Sequence, residues 1–151
     1  MNSFLQHLTA PRGIRNNNPF NLRISNESWL GKIPVSQNTD GVFEQFDTIE
    51  DGIRAGVKNI HTLITNGANT PELLANAYAP QSDGNSPDIY TQVIADAAGT
   101  DVNTPIDFTE KTNVFDIAVA FISEECGAVY NQYITTAMIE TGIDLTNFFF
   151  S

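Results

Sequence analysis

Between Val114 and Gly127, apolar residues recur every three to four positions, the pattern of a helix with one buried side. At about 100° per residue, Val114, Ala118, Phe121 and Ile122 share one stripe, and Glu125 falls on that same stripe. Phe115 and Ile117 lie at its margins, and Glu124 lies at the edge, within reach of water. A second helical period, Ile49, Ile53, Val57, Ile60 and Ile64, begins after Thr48 and stops at Gly67. Thr70-Pro71-Glu72 opens a short helix through Ala79, with Thr70 as cap and Pro80 as terminator. Ser86-Pro87-Asp88 opens another, with Ile89, Tyr90, Val93, Ile94 and Ala97 as its buried face and Gly99 as its end. A last helix is predicted from about Tyr130 to Glu140, stopped by Gly142, and the tail LTNFFFS is expected to pack on the body. Residues 12–46 differ. They are rich in Asn, Gly and Pro around the short apolar stretches NLRI, KIPV and GVFEQF, which predict turns and a small β-hairpin region. The expected fold class is mainly α with a small β portion (α+β), as a single domain over residues 1–151.

Composition narrows the chemistry. With 41% hydrophobic residues and no apolar run of membrane-spanning length, a globular protein with no membrane partner is expected. The net charge of −11 argues against nucleic acid, because a phosphate backbone rewards clustered Lys and Arg. The same charge means that an anionic cell-wall polymer would not be held by bulk attraction. The stretch MNSFLQHLTAPRGIR has no basic run followed by an apolar core, so no signal peptide is expected. Cys126 is the only cysteine and His7 and His61 the only histidines, which predicts no disulfide, no metal site and no cofactor. A Cys126–His61 nucleophile pair is formally possible but has no local support.

The carboxyl on the oily stripe is the candidate chemistry. Burial raises a carboxyl pKa, and an acid that keeps its proton near neutral pH suits general acid catalysis. The plainer reading is a helix end at which Glu125 snorkels or caps. FISEECG resembles the helix end that carries the catalytic glutamate of lytic transglycosylases and goose-type lysozymes, with Cys126 in the usual Ser position. ANAYAPQSDGNSPDIYTQVI is similar to their downstream tyrosine segments, with Tyr78 and Tyr90 at the two tyrosines and Ala79-Pro80-Gln81 in place of Asn-Ala-Gly. NNNPFNLR, SWLGK and FEQFDTIEDGIRA resemble the hairpin region of flagellar-type glucosaminidases. In those enzymes the glutamate comes first; here it comes last, which implies a circularly permuted lysozyme-like fold. The whole order, from RGIRNNNPFNLR to ISEECG, resembles a family of phage virion-associated lysozyme-like proteins. This chain departs from that family at Phe20, where Gly is usual, and at Cys126, where Asn is usual.

The resemblance implies a phage-encoded peptidoglycan-cleaving enzyme, with glycan strands as substrate and other virion proteins as further partners. Glu125 would protonate the glycosidic oxygen and then act as base. Asp40, Glu44 and Asp47 lie in the expected hairpin, and Asp40 is the best second carboxylate for a hydrolase. Without a second carboxylate, the lytic transglycosylase route follows, giving a 1,6-anhydro product. Asn18 and Asn21 would meet N-acetyl groups, Trp29 would stack on a sugar, and Tyr78, Tyr90 and Tyr130 would reach the cleft. Turn-forming asparagines and packing aromatics are the plainer alternatives. Arg15 and Arg54 are expected to pair with acids and hold the hairpin to the helices. Two other functions stay open: a hydrolytic muramidase or N-acetylglucosaminidase, and a non-catalytic virion structural or wall-binding protein. The protein would reside in the virion or the host cytoplasm and act on the wall or in the periplasm.

Overall fold

Helices form where the sequence pattern predicted them from Ile49 to Cys126, whereas the last one begins at Thr136 and not near Tyr130, which lies in a 3₁₀ turn. A computed structural model describes residues 1–78 and 86–151. Its helices are α1 (Arg12–Arg15), α2 (Ile49–Thr65), α3 (Pro71–Tyr78), α4 (Pro87–Ala98), α5 (Lys111–Cys126) and α6 (Thr136–Asp144), with 3₁₀ turns at Val35–Gln37 and Ala128–Gln132. No described helix is long and apolar enough to cross a membrane. Thr70 Oγ accepts from the Leu73 N–H, and Ser86 Oγ from the Ile89 N–H, so both proposed caps satisfy orphan helix donors. The proposed end of α3 at Ala79-Pro80 lies outside the described residues.

The expected α+β class is not what the chain adopts. Among the described residues there is no β-strand; residues 22–46 make only two isolated antiparallel bridges, Arg23 with Phe43 and Lys32 with Phe46. The reason is competition from side chains for the backbone groups that a ladder would use. Asn18 Nδ2 donates to the carbonyls of Leu22 and Glu44, and Asn38 Nδ2 to that of Phe43. Asp40 Oδ1 accepts from the Val42 and Phe43 N–H groups, and Glu44 Oε2 from that of Ser25. A lysozyme-like fold with a hairpin is therefore replaced by helices joined through an amide-braced loop.

The chain packs as two compact units. The first comprises residues 1–57 and 121–148, the second residues 58–120 and 149–151. In the first, Ile14, Phe20, Phe46, Ile49, Ile53, Phe121, Ile122 and Ile143 are buried. Gly142 is inside α6 and does not stop it, because the backbone there presses on Ile53; a Cβ would lie 2.6 Å from Ile53 Cβ. In the second unit, Ile60, Leu74, Tyr90, Ile94, Val114 and Ile117 are buried. The buried face of α4 is turned from the expected one: Tyr90, Thr91, Ile94 and Ala95 point inward, while Ile89 is 59% exposed. Thr91 tolerates burial because its hydroxyl donates to the Pro87 carbonyl at 2.7 Å. In the tail, Thr146 is buried and Phe148 and Phe150 are half-buried, as expected, while Phe149 between them is fully exposed.

Candidate active site

The C-terminal end of α5 is built by a glycine and held by an asparagine loop. Gly127 takes φ 87° and ψ 169°, a backbone shape open almost only to glycine, so the helix ends at Cys126. The buried stripe of Val114, Ala118, Phe121 and Ile122 leads directly to Glu125, which is half-buried. The loop Asn18–Asn21 wraps this end. Asn21 N–H donates to the Asn18 carbonyl at 2.9 Å, and Asn21 itself adopts φ 51°, a left-handed shape that asparagine tolerates. Phe20 stacks on Phe121 with ring centroids 6.1 Å apart. It also fills the space beside Gly56 of α2, where a side-chain carbon would collide with its ring. The left-handed positions of this loop are Asn17 and Asn21, not residue 20, which explains how Phe20 is accommodated.

This loop brings Asn21 to Glu125. The Asn21 amide nitrogen donates to Glu125 Oε1 at 2.9 Å and to the Glu125 backbone carbonyl at 3.4 Å. Asn21 Oδ1 is buried and has no hydrogen-bond partner. An amide is suited to both protonation states of such a neighbour: its N–H₂ donates to a carboxylate, and after a half-turn its oxygen accepts from a carboxylic acid. Asn21 thus contacts Glu125, where the sequence suggested a contact to sugar. Asn18 is wholly buried and spent on the backbone, its Oδ1 accepting from Leu22 N–H at 3.0 Å.

Asp40 sits in a different arrangement. Arg12 Nε and Nη2 each donate to it at 2.8 Å, and Asn16 Nδ2 at 3.0 Å. The fork of Arg12 hydrogen bonds, helped by the Phe43, Asn16 and Val42 donors, holds the Asp40 carboxyl well below the usual carboxylate range despite partial burial. The same contact raises the Arg12 pKa. Because the folded pKa is depressed, the stabilisation is complete above the unfolded value of about 4 and is lost as pH falls below it. Asp40→Asn is therefore expected to be less stable than the wild type at pH 7, with the gap narrowing steadily below pH ~4. Urea unfolding at several pH values between 7 and 3 measures this, and a gap independent of pH would contradict it.

Of the other two acids in this region, only Glu44 is committed. Glu44 is wholly buried, 2.9 Å from Lys32 Nζ. Its Oε1 has no partner. Asp47 is exposed. Arg15 and Arg54 donate to backbone carbonyls, of Ala10 at 3.1 Å and Leu145 at 3.2 Å, and not to the expected acids, whereas Arg12 and Lys32 do pair with acids. Trp29 and Tyr130 are half-buried in the first unit. Tyr78 and Tyr90 belong to the second unit, where their rings lie 5.9 Å apart and Tyr90 is buried.

Cys126 is a packing residue. Its thiol donates to the Pro19 carbonyl at 3.4 Å, and burial, with the nearby Glu125 charge, pushes its pKa up to about 12. A thiol so placed is not a nucleophile at neutral pH. We expect no labelling of the folded protein by a thiol reagent at pH 8 and full labelling in denaturant; labelling of the native protein within minutes would refute this.

Asn16 and Asn17 carried no signal beyond turn-forming type. Both are buried, and Asn17 Nδ2 donates to the Phe46 carbonyl at 2.9 Å while its Oδ1 accepts from Phe4 N–H at 2.8 Å. Asn16 Oδ1 accepts from Gln45 Nε2 at 3.0 Å. Three consecutive amides thereby tie the loop that carries Asn21 to residues 40–47.

No protein-family model matches the chain. Among characterised proteins it is similar to Protein P5 of Pseudoalteromonas phage PM2, with 32% identity over 94 residues. That match covers 60% of this chain and 57% of the phage protein, so the chain spans less than two thirds of that relative's length.

Proposed function

We propose that the protein cleaves peptidoglycan glycan strands as a phage-encoded lytic transglycosylase-like enzyme, with Glu125 as its general acid and base. The observation that carries this reading is Glu125 at the end of an apolar helix with its carboxyl fixed by the Asn21 amide. In the first step Glu125 gives its proton to the leaving glycosidic oxygen. In the second, the carboxylate takes the proton of the C6 hydroxyl as that oxygen closes on C1, giving the 1,6-anhydro product. Asn21 is a positioning residue in both steps, presenting N–H to the carboxylate and oxygen to the acid. The commitment of Asp40 to Arg12 and of Glu44 to Lys32 supports the single-glutamate route over a two-carboxylate hydrolase. The similarity to a phage protein supports the phage source; a virion or host-cell location before action on the wall is part of the same proposal.

Mass spectrometry of purified peptidoglycan after incubation with the protein tests the proposal. Anhydro-muropeptides are the expected product. Reducing ends would replace the transglycosylase with a hydrolase, and no soluble product at all would favour a structural or wall-binding role.

A further inference from the structure

α1 supplies two of the seven basic residues in the chain, and both line one cleft of the first unit. The cleft measures about 430 Å³ and is lined by Arg12, Arg15, Asn16, Gln45, Leu5 and Leu8, with Asp40 beside Arg12. Its charges do not cancel. Arg12 is neutralised by the two hydrogen bonds to Asp40, whereas Arg15 spends one N–H on the Ala10 carbonyl and pairs with no described carboxylate. In a chain of net charge −11, a half-buried guanidinium with donors to spare is a local exception. The Asn16 and Gln45 amides are bonded to each other, so this part of the lining is fixed before any ligand arrives. Leu8 is 78% exposed and Leu5 half-buried, which adds apolar surface beside the cation.

The same short helix also touches the candidate acid's support. A side-chain carbon on Gly13 would lie 2.9 Å from Asn21 Oδ1 and 3.0 Å from Cys126 Sγ, so α1 has the cleft on its arginines and the Asn21 loop against its glycine.

We propose that this cleft binds a free carboxylate on the peptide that substitutes a peptidoglycan strand, with Arg15 pairing to the carboxylate and Leu5 and Leu8 receiving its alkyl neighbour. The choice of a wall glycopeptide rests on the glycan-cleaving function proposed above. A guanidinium presents paired donors that match the two oxygens of a carboxylate, and such contacts are the stronger class of hydrogen bond.

Calorimetric titration of the full chain with muramyl dipeptide, and with the same compound amidated at its carboxylate, tests the subsite. The wild type is expected to bind the free acid about tenfold more tightly than the amide, in line with a charge-assisted contact. Arg15→Gln is expected to erase that preference. Equal binding of the two compounds by the wild type, or no binding of either, overturns the subsite without reference to how the variant folds. A preference retained in a correctly folded Arg15→Gln overturns the role of Arg15. Failure of the glycosidase reading shows separately, as uncut peptidoglycan from a protein that still prefers the free acid.

Discussion

Glu125→Gln is expected to lower glycan-strand cleavage by roughly 10²–10⁴-fold, the range that a positioned general acid supplies. Glutamine has nearly the same shape and keeps an oxygen for the 2.9 Å contact from Asn21, so the loop around the helix end should stay in place. Only the transferable proton is lost. Thermal unfolding should therefore match the wild type within a few degrees, separating loss of chemistry from loss of fold. A smaller effect is expected for Asn21→Ala, about tenfold in kcat with KM little changed, because the acid remains but its orientation is no longer held. Undiminished release of muropeptides by Glu125→Gln would remove Glu125 from the reaction.

A second large effect is expected from Gly52→Ala. In an ordinary helix this exchange stabilises by about 1 kcal/mol, since alanine loses less backbone entropy. Here the added carbon would fall on the Asn17 carbonyl oxygen, with the Asn18 Cα at 3.3 Å. Both obstacles are backbone, so no side chain can swing aside. Asn17 is itself pinned through its amide to the Phe46 carbonyl. The strain should exceed the helical gain and destabilise by more than about 3 kcal/mol, at the upper end of overpacking costs. Urea unfolding measures it, and a variant as stable as the wild type would show that α2 and the asparagine loop do not meet this way.

Gly99 and Gly142, both expected to end helices, show what the sequence disclosed. α2, α4 and α5 were legible because apolar spacing, caps and terminators agreed, and Gly99 does end α4 in a left-handed turn at φ 66°. Gly142 had the same appearance, yet it serves close approach to Ile53, and a one-letter code carries no distinction between the two uses. The loop from 12 to 46 misled for a related reason. Its short apolar stretches alternate as strands do, but Asn18 takes the Leu22 N–H and the Glu44 carbonyl and Asp40 takes the Val42 N–H, so the backbone pairing stops at two isolated bridges. At the candidate site, Glu125 stood out because a lone acid on an oily stripe is locally visible. Asn21 and Asp40 were also singled out, but for sugar contact and catalysis; their pairing with Glu125 and Arg12 was not legible, because both pairings join distant parts of the chain.

That distance shapes when the molecule becomes competent. Asn21 and Glu125 are 104 residues apart, and the first unit is assembled from two stretches with the whole of 58–120 made between them. During synthesis the asparagine loop leaves the ribosome long before the glutamate it is to hold. A nascent chain that has reached residue 100 has neither the acid nor the α5 end that the loop embraces. Closing so long a span is also entropically slow, so the final assembly lags behind the helices. A chain that stops before residue 125 would lack the glutamate altogether, and the Asn18–Asn21 loop would have no helix end to hold.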